Sequence, residues 1–157
     1  MTHELQTEFP DASDSPGLAL WRVTHSWQRA IRDALEPFEL THMQFVLLAS
    51  LTWMDRSSPV TQRELADHVG IDIMMTSQVL RALEGKGLVE RARHPSDGRA
   101  FALEPTATGI ALANRANAAV ERADRRYFAP LGASVAGFTR QLNALDRPQA
   151  RPHETGR

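Results

Sequence analysis

The chain has 157 residues, contains no cysteine and carries a formal net charge of -1. This length suits one folded domain, and the lack of cysteine excludes disulfides, thiolate metal ligands and thiol-based sensing of oxidants by this chain. No apolar run approaches the ~20 residues of a membrane span, and the N-terminus has neither a basic start nor an apolar core. We therefore expect a cytoplasmic protein.

The charge is distributed unevenly along the chain. The first twenty residues contain no lysine or arginine and four acidic residues, which are Glu4, Glu8, Asp11 and Asp14. Leaving these four out of the 19 acidic residues makes 15, against 18 basic residues, which permits contact with nucleic acid without requiring it. Lys86 is the only lysine. The preference for arginine suits phosphate and guanine contacts, and a codon-usage bias explains it equally well.

The N-terminal part of the chain predicts an arm followed by a helix. Residues 1–17 combine acidic residues with proline and glycine and lack periodicity, which is typical of a flexible acidic arm. Residues 18–38 follow a helical pattern that contains Trp21 and Trp27. Two tryptophans on one short helix require a large buried surface. We expect the subunit's own core to supply it, with a partner chain as the alternative.

Capping boxes predict where the next helices begin. Thr41 and Gln44 form one such box, and the helix behind it extends to about Asp55. Thr61 and Glu64 form another box, which starts a short helix.

The short helix belongs to a pair. Gly70 is suited to end it in the left-handed conformation, and Asp72 is suited to cap a following helix that ends near Gly87. Because only a few residues separate the two helices, we predict a helix-turn-helix.

The second helix of this pair has two distinct sides. Helical spacing places four residues on the inward side: Ile73, Thr76, Leu80 and Leu83. The opposite side carries Met74, Met75, Gln78, Arg81 and Ala82. This outward side suits a major groove, because glutamine pairs with adenine, arginine with guanine or phosphate, and apolar groups meet the thymine methyl. Methionines that fill core gaps beside an ordinary polar surface explain it equally well.

A basic hairpin follows the second helix. Residues 88–93 and 99–104 resemble strands, and residues 95–98 are turn formers. The basic residues of this hairpin are Arg91, Arg93, His94 and Arg99. A solvated edge explains each of them singly, whereas a cationic hairpin beside a recognition helix favours DNA, because its tip can reach the minor groove and its arginines can contact phosphates. We therefore predict a mainly α winged helix-turn-helix with a small β-hairpin wing.

Asp97 in the predicted wing tip has two explanations of similar weight. A carboxylate there repels phosphates unless it is neutralised, so it is suited to orient Arg99 or a neighbouring arginine. It is equally suited to stabilise the turn of residues 95–98 through its side chain.

Two helical segments complete the chain. Thr106 caps an alanine-rich helix that extends to about Phe128. Beyond it, apolar residues repeat with alternating spacings of four and three: Leu131, Val135, Phe138, Leu142 and Leu145. This seam needs a partner surface, which is either a second subunit or the chain's own first helix. Residues 147–157 are predicted to be a flexible tail.

Five segments of the chain have the order and spacing of one known family: Leu40-Thr41-x-x-Gln44-Phe45, Glu64-Leu65-Ala66, Leu83-Glu84-x-x-Gly87-Leu88-Val89-x-Arg91, Pro95-x-Asp97-x-Arg99 and Thr106-x-x-Gly109. From about residue 18 to residue 145, the chain resembles the MarR (multiple antibiotic resistance regulator) family of bacterial transcription factors. The resemblance implies a homodimer with a winged helix-turn-helix in each subunit and N- and C-terminal dimerisation helices, bound to a pseudo-palindromic operator and often released by a small ligand.

The resemblance also divides the domain of residues 18–146 into a DNA-binding lobe at about 41–105 and dimerisation helices at about 18–38 and 106–146. It favours the dimer as the partner of the C-terminal seam. Two positions depart from the family pattern. Ser77-Gln78 replaces a common Thr-Arg pair, and Gly98 replaces a frequent second wing arginine, which leaves Arg99 as the expected tip residue.

The family's effectors often bind between the dimerisation helices and the DNA-binding lobe. Residues suited to line such a pocket for an aromatic or carboxylate ligand are Trp21, His25, His42 and Trp53. Each of them singly is also explained as a core residue. No nucleophile beside a base, phosphate loop or metal-ligand spacing stands out, and the six histidines are scattered, so we expect neither an enzyme, a cofactor nor a metal site.

The sequence thus predicts a sequence-specific DNA-binding regulator that acts as a repressor. Its predicted DNA contacts are Met74, Met75, Ser77, Gln78, Arg81, Arg91, Arg93, Asp97 and Arg99. The alternative is a winged-helix module that binds another protein through Met74 and Met75 instead of an operator.

Overall fold

The computed structural model describes residues 5–55, 57–99 and 101–146. These residues form six helices: α1 (Pro16–Leu35), α2 (His42–Trp53), α3 (Gln62–Val69), α4 (Ile73–Gly85), α5 (Ala107–Phe128) and α6 (Val135–Leu145). They also form a small antiparallel sheet of β1 (Val60–Thr61), β2 (Val89–Arg93) and β3 (Phe101–Pro105). The predicted mainly α fold with a hairpin wing is confirmed. The predicted tail at 147–157 lies outside the described residues, as do residues 1–4 of the predicted arm.

Helix α1 begins two residues earlier than the sequence pattern indicated. Ser15 caps it by accepting a hydrogen bond from the Leu18 amide at 3.3 Å, and Pro16 occupies the first helical position, where a missing N–H costs nothing. A 3-10 turn at Ala12–Asp14, capped by Asp11, precedes it. Part of the predicted flexible arm therefore has regular structure.

The predicted caps of the DNA-binding lobe are confirmed. Both capping boxes are present, at Thr41 with Gln44 and at Thr61 with Glu64. Gly70 ends α3 with a φ of 77°, and the Asp72 side chain accepts from the Met75 amide at 2.8 Å to start α4. The two Thr61 hydrogen bonds, from its backbone and from its side chain, lower the pKa of Glu64. The helix-turn-helix is thus held at each of its ends by local hydrogen bonds.

One apolar core joins α1 to α5 and the three strands, and α6 contributes no buried residue to it. Helix α2 lies at its centre and packs against α3, α4, α5 and β3. The fully buried large side chains come from most of these elements and include Ile31, Leu35, Leu48, Leu51, Leu65, Leu80, Leu83 and Leu103. The helix-turn-helix and the base of the wing therefore share their core with α1 and α5.

Two of the apolar expectations, for Trp21 and Ile73, were wrong for a single chain, and the alternative explanation of Trp53 as a core residue is excluded as well. Trp21 is 64% exposed and Trp53 is 79% exposed, so the subunit's own core does not bury them. Ile73 is 42% exposed, although helical spacing had placed it on the inward side of α4. At about 100° per residue, Ile73 lies roughly 50° from the centre of the buried face of α4, and it is the first residue of the helix, where the core ends. Trp27 is half-buried, as expected.

The base of the wing is fixed to the start of α5. The sheet has the order β1-β3-β2, and β1, which the sequence did not reveal, pairs Val60 with Leu103. The Thr106 amide donates to the Leu88 carbonyl at 3.0 Å, and a Cβ added at Gly109 would lie 2.0 Å from the same oxygen. Only glycine allows α5 to approach the backbone this closely.

The C-terminal seam is divided by a kink. A 3-10 segment at Ala129–Ser134 separates α5 from α6, and Gly132 within it has a φ of 51°. In the part of the chain described, α6 packs mainly against this segment and not back onto α1. The apolar side chains Leu131, Val135, Leu142 and Leu145 consequently remain exposed. Among the described helices, none combines the length and the apolar character needed to cross a membrane.

Candidate nucleic-acid interface

Helix α4 presents a mixed apolar and polar surface to solvent. Its buried side is formed by Thr76, Leu80 and Leu83, which leaves Gln78 and Arg81 exposed on the other side. Met74 is 78% exposed and Met75 is 42% exposed. With Ile73 they form an exposed apolar group at the N-terminal end of α4, which we call the α4 apolar tip. Ser77 is half-buried and lies between the two sides.

Gln62 ties the two helices of the helix-turn-helix together. Its Nε2 donates to the Ile73 carbonyl at 3.1 Å, so the first turn of α3 holds the first turn of α4. Sequence reasoning missed this residue, because an exposed glutamine within a capping box has no signal of its own. The bond fixes the angle at which the α4 apolar tip projects from the lobe.

The wing tip is held by short-range hydrogen bonds. Nδ1 of His94 accepts from the amides of Ser96 and Asp97, at 3.2 Å each. Asp97 Oδ1 accepts from the Arg99 amide at 3.0 Å. Arg93 and Arg99 are both exposed, so two cations flank the turn. This contact of Asp97 corresponds to its turn-forming role, since its described hydrogen bond is to the Arg99 backbone and not to the guanidinium.

Arg91 is separated from the exposed arginines of the wing. Its side chain is only 17% exposed, and its Nε lies 3.0 Å from Glu84 Oε2 on α4. The Nε–H bond does not point at the carboxylate well enough to form a hydrogen bond. Nη2 is also buried and has no hydrogen-bond partner among the described residues. We treat the contact as an ion pair. It ties the end of α4 to β2, which places Arg91 behind the exposed surface rather than on it.

The four predicted ligand residues lie at three different places. Trp21 and His25 lie against each other on an exposed side of α1, with ring centroids 4.1 Å apart and the ring planes tilted by 41°. His42 meets Trp27 edge-on at 5.2 Å, and Trp53 stacks with His68 at 5.9 Å. Within one chain the structure therefore does not bring Trp21, His25, His42 and Trp53 into one pocket.

Two surface grooves contain members of this set. The Trp53 groove lies between α2, α3 and α5, has a volume of about 470 Å³, and is lined by Trp53, His68, Asn114, Asn117 and Glu121 among others. The Arg32 groove lies between α1, α2 and the turn before α4, and has a volume of about 510 Å³. Its lining includes Trp27, Gln28, Arg32, Thr41, His42 and Ile71. Burial lowers the pKa of His42, and Asp124 opposes this shift.

The titratable residues offer no metal site in the part of the chain described. No three histidine or carboxylate side chains among residues 5–55, 57–99 and 101–146 come close enough together to hold a metal ion.

Comparison with known proteins identifies the family. The MarR family model matches residues 40–101. The HTH-type transcriptional regulator YdcH of Bacillus subtilis is 42% identical over 127 residues, which cover 80% of this chain and 86% of YdcH. The HTH-type transcriptional repressor Rv2887 of Mycobacterium tuberculosis is 39% identical over 136 residues, which cover 85% of this chain and 96% of Rv2887. The chain belongs to the MarR family.

Solved structures of MarR proteins superpose closely on this chain. The structure of the MarR family protein Rv2887 in complex with salicylic acid has a TM-score of 0.65 and covers 87% of this chain and 98% of its own, with 37% identity. The repressor CouR of Rhodococcus jostii RHA1, bound to a 23-mer DNA duplex, has a TM-score of 0.80 and covers 91% of this chain and 100% of its own, with 30% identity. The chain is a DNA-binding transcriptional regulator with the winged helix-turn-helix of this family.

Proposed function

We propose that the protein is a cytoplasmic repressor that binds a pseudo-palindromic operator as a homodimer, has no catalytic activity, and is released by a small aromatic carboxylate. One observation carries the DNA-binding part of this proposal. Helix α4 packs against β2, the strand that ends in the exposed Arg93, so a recognition helix and a cationic hairpin can meet the same duplex.

The exposed residues divide into base-reading and backbone-contacting groups. Gln78 and Arg81 have the side-chain chemistry to read adenine and guanine edges, and Met74 and Met75 have the apolar chemistry to meet thymine methyl groups. Arg93 and Arg99 at the wing suit phosphates and the minor groove. Ser77 lies at the edge of the exposed side of α4, and Asp97 stabilises the turn that carries Arg99. Arg91, held by Glu84, positions the wing instead of contacting DNA.

The dimer is supported by apolar surface that a single chain leaves exposed. Four large side chains of α1 are exposed, namely Leu18, Leu20, Trp21 and Val23, and the C-terminal seam is exposed as well. A partner that covers these side chains would remove their apolar surface from water, which favours association. In a symmetric dimer the two α4 helices would lie ~34 to 36 Å apart, which matches adjacent major grooves on one face of the duplex.

The effector proposal rests on the charges of the two grooves. Rv2887 has been solved with salicylic acid and CouR with p-coumaroyl-CoA. The Arg32 groove offers a guanidinium together with Trp27 and His42, which suits an aromatic ring that carries a carboxylate. The Trp53 groove contains the Glu121 carboxylate, which repels an anion. We therefore assign the effector to the Arg32 groove, with His42 as the one member of the predicted ligand set that lines it.

An operator titration across a salt series tests the function. The probe is duplex DNA from the region around the protein's own gene. A dimer that contacts phosphates must lose affinity steeply as salt rises, with a slope set by the number of contacts. Gln78→Ala should change the ranking of operator variants, since each good base contact discriminates by ~1 to 3 kcal/mol. Flat salt dependence, or no binding at low salt, would favour the protein-interaction module.

Salicylate is the probe for the effector. It should weaken operator binding by the parent protein and should have less effect on Arg32→Gln, which keeps the side chain polar but removes the cation. Arg29→Gln, which changes an exposed arginine outside the Arg32 groove, is the matched control. Equal salicylate responses of parent and Arg32→Gln would contradict the assignment of the groove.

A further inference from the structure

The methionines of this protein differ in how far they are exposed to solvent. The chain has five methionines and no cysteine, so thioethers are its only sulfur groups. Met43 and Met54 are half-buried, and Met54 packs against the core. Met74 and Met75, in contrast, are exposed side by side on the α4 apolar tip. The most accessible thioethers among the described residues therefore lie on the surface assigned to DNA.

We propose that Met74 and Met75 are oxidation sites through which a hypohalous acid weakens operator binding. This inference rests on the proposed function, because it places both side chains at the thymine methyl groups of the operator. It adds a second input to the protein, independent of the effector groove.

The chemistry is a two-electron oxidation at sulfur. The thioether attacks the electrophilic chlorine of hypochlorous acid, chloride later leaves, and water supplies the oxygen of the sulfoxide. The net reaction converts one thioether and one hypochlorous acid into one sulfoxide, one chloride and one proton. A methionine sulfoxide reductase with a thiol reductant restores the thioether. Exposure decides which sulfur reacts first, and it favours Met74.

The consequence for binding follows from polarity. A thioether meets a thymine methyl group as an apolar contact, whereas a sulfoxide has a strongly polar oxygen that must lose its hydration in the same place. Because Met74 projects into solvent in the free protein, its oxidation leaves the core undisturbed. The fold should therefore persist while operator affinity falls.

The test compares oxidised and untreated samples of the full-length protein. Each sample is treated with a small molar excess of hypochlorous acid, quenched with free methionine, mapped by peptide mass spectrometry and titrated on one operator at fixed salt. Two double variants are compared with the parent: Met74→Leu with Met75→Leu, and the matched control Met43→Leu with Met54→Leu. Each variant is measured against its own untreated sample, so that differences in basal affinity cancel.

We expect oxidation to raise the operator Kd of the parent at least tenfold, which corresponds to about 1.4 kcal/mol. The Met43 and Met54 control should lose affinity to the same extent. The Met74 and Met75 variant should change less than about twofold, and methionine sulfoxide reductase should restore the parent. Met74→Gln, which places a polar amide near the sulfur position, should bind more weakly without any oxidant.

Several outcomes would overturn the inference. Unchanged affinity of a parent whose Met74 and Met75 are mapped as sulfoxides would do so, as would equal losses in the parent and in the Met74 and Met75 variant. A parent that resists oxidation at both positions would also contradict it. Failure of the untreated parent to bind any operator would instead contradict the proposed function, which separates the two cases.

Discussion

Arg91 and Arg99 occupy the same hairpin and have opposite environments. Both are arginines of a basic wing in the sequence, which assigns both to DNA. In the structure Arg91 is paired with Glu84 and mostly buried, whereas Arg99 is exposed at the tip. The pairing could not be predicted, because it depends on how the end of α4 packs against β2. The exposed side of α4, which depends on helical periodicity alone, was predicted correctly except at Ile73.

The different environments predict different effects of truncation. Arg91→Ala leaves Glu84 without its partner, so we expect a loss of about 1 to 3 kcal/mol in the free energy of unfolding. The salt slope of operator binding should stay unchanged, because no phosphate contact is removed. Arg99→Ala should leave stability within about 0.5 kcal/mol and reduce the salt slope by about 1 for each phosphate that the variant no longer neutralises. Urea unfolding and a salt series measure both quantities, and a reduced slope for Arg91→Ala would place Arg91 on the DNA.

Asp97 stabilises the turn at the tip of the wing. Its carboxylate accepts from the Arg99 amide, and an asparagine oxygen accepts the same hydrogen bond. Asp97→Asn should therefore keep the turn, remove a negative charge from a surface that meets phosphates, and bind the operator as tightly as the parent or more tightly. Titration of mutant and parent on one operator at fixed salt distinguishes this turn-forming role from the orientation of an arginine. Weaker binding by the mutant would show that the negative charge orients an arginine.

Helix caps, which depend on a few neighbouring residues, could be predicted from the sequence. Contacts between helices and strands could not. Each of the capping boxes, at Thr41 and at Thr61, is defined by only four consecutive residues, and both are present in the structure. Strand β1 has only two residues, too few for any periodicity, and it exists because β3 is there to pair with it. The kink at Gly132 divides a seam whose apolar spacing alone suggested continuity. Sequence patterns of this kind do not show where two elements meet.

Gly109 allows a test of one such meeting point. A Cβ at this position would lie 2.0 Å from the Leu88 carbonyl oxygen, which is backbone and cannot move aside alone. Gly109→Ala should therefore displace α5 from the wing base and cost about 1 to 3 kcal/mol in the free energy of unfolding. Gly17→Ala in α1 is the matched control, since nothing lies within 4 Å of its added Cβ. The control should retain or slightly increase stability. Equal stabilities of both variants in urea would contradict the close packing.

At the scale of the whole molecule, the exposed apolar surfaces of α1 and α6 indicate an incomplete core. The sequence already suggested a partner for the seam, and the structure supports it, because α6 leaves Leu142 exposed instead of packing it on α1. The tryptophan expected in the subunit's own core, Trp21, is exposed on the same part of the molecule as the other apolar residues of α1. The sequence of one chain cannot distinguish a core residue from an interface residue, because both are apolar at helical spacing.

Leu142→Glu should separate the subunits. A carboxylate within an apolar interface is costly to desolvate, so we expect a monomer in light scattering at micromolar concentration. Operator affinity should fall by at least tenfold, because one subunit can contact only one half-site. Gln141→Glu, which adds the same charge at an adjacent exposed position of α6, should remain dimeric. A parent protein that is itself monomeric under these conditions would contradict the homodimer.

The contact between Trp27 and His42 makes the fluorescence of this protein sensitive to the protonation of His42. Each of its three tryptophans lies against a histidine, as Trp21 with His25, Trp27 with His42, and Trp53 with His68. An imidazolium in contact with an indole accepts an electron from the excited ring and quenches its emission, whereas a neutral imidazole does so far less.

The fluorescence of Trp27 should therefore decrease on acidification as His42 acquires a proton. Because burial lowers the pKa of His42, the emission of Trp27 should persist to lower pH than a solvent-exposed histidine would allow. Trp27→Phe should remove this pH-dependent change in fluorescence, and an unchanged curve would mean that another tryptophan produces it. An anion bound in the Arg32 groove would favour the imidazolium of His42. Binding of the anion should therefore decrease the fluorescence of Trp27.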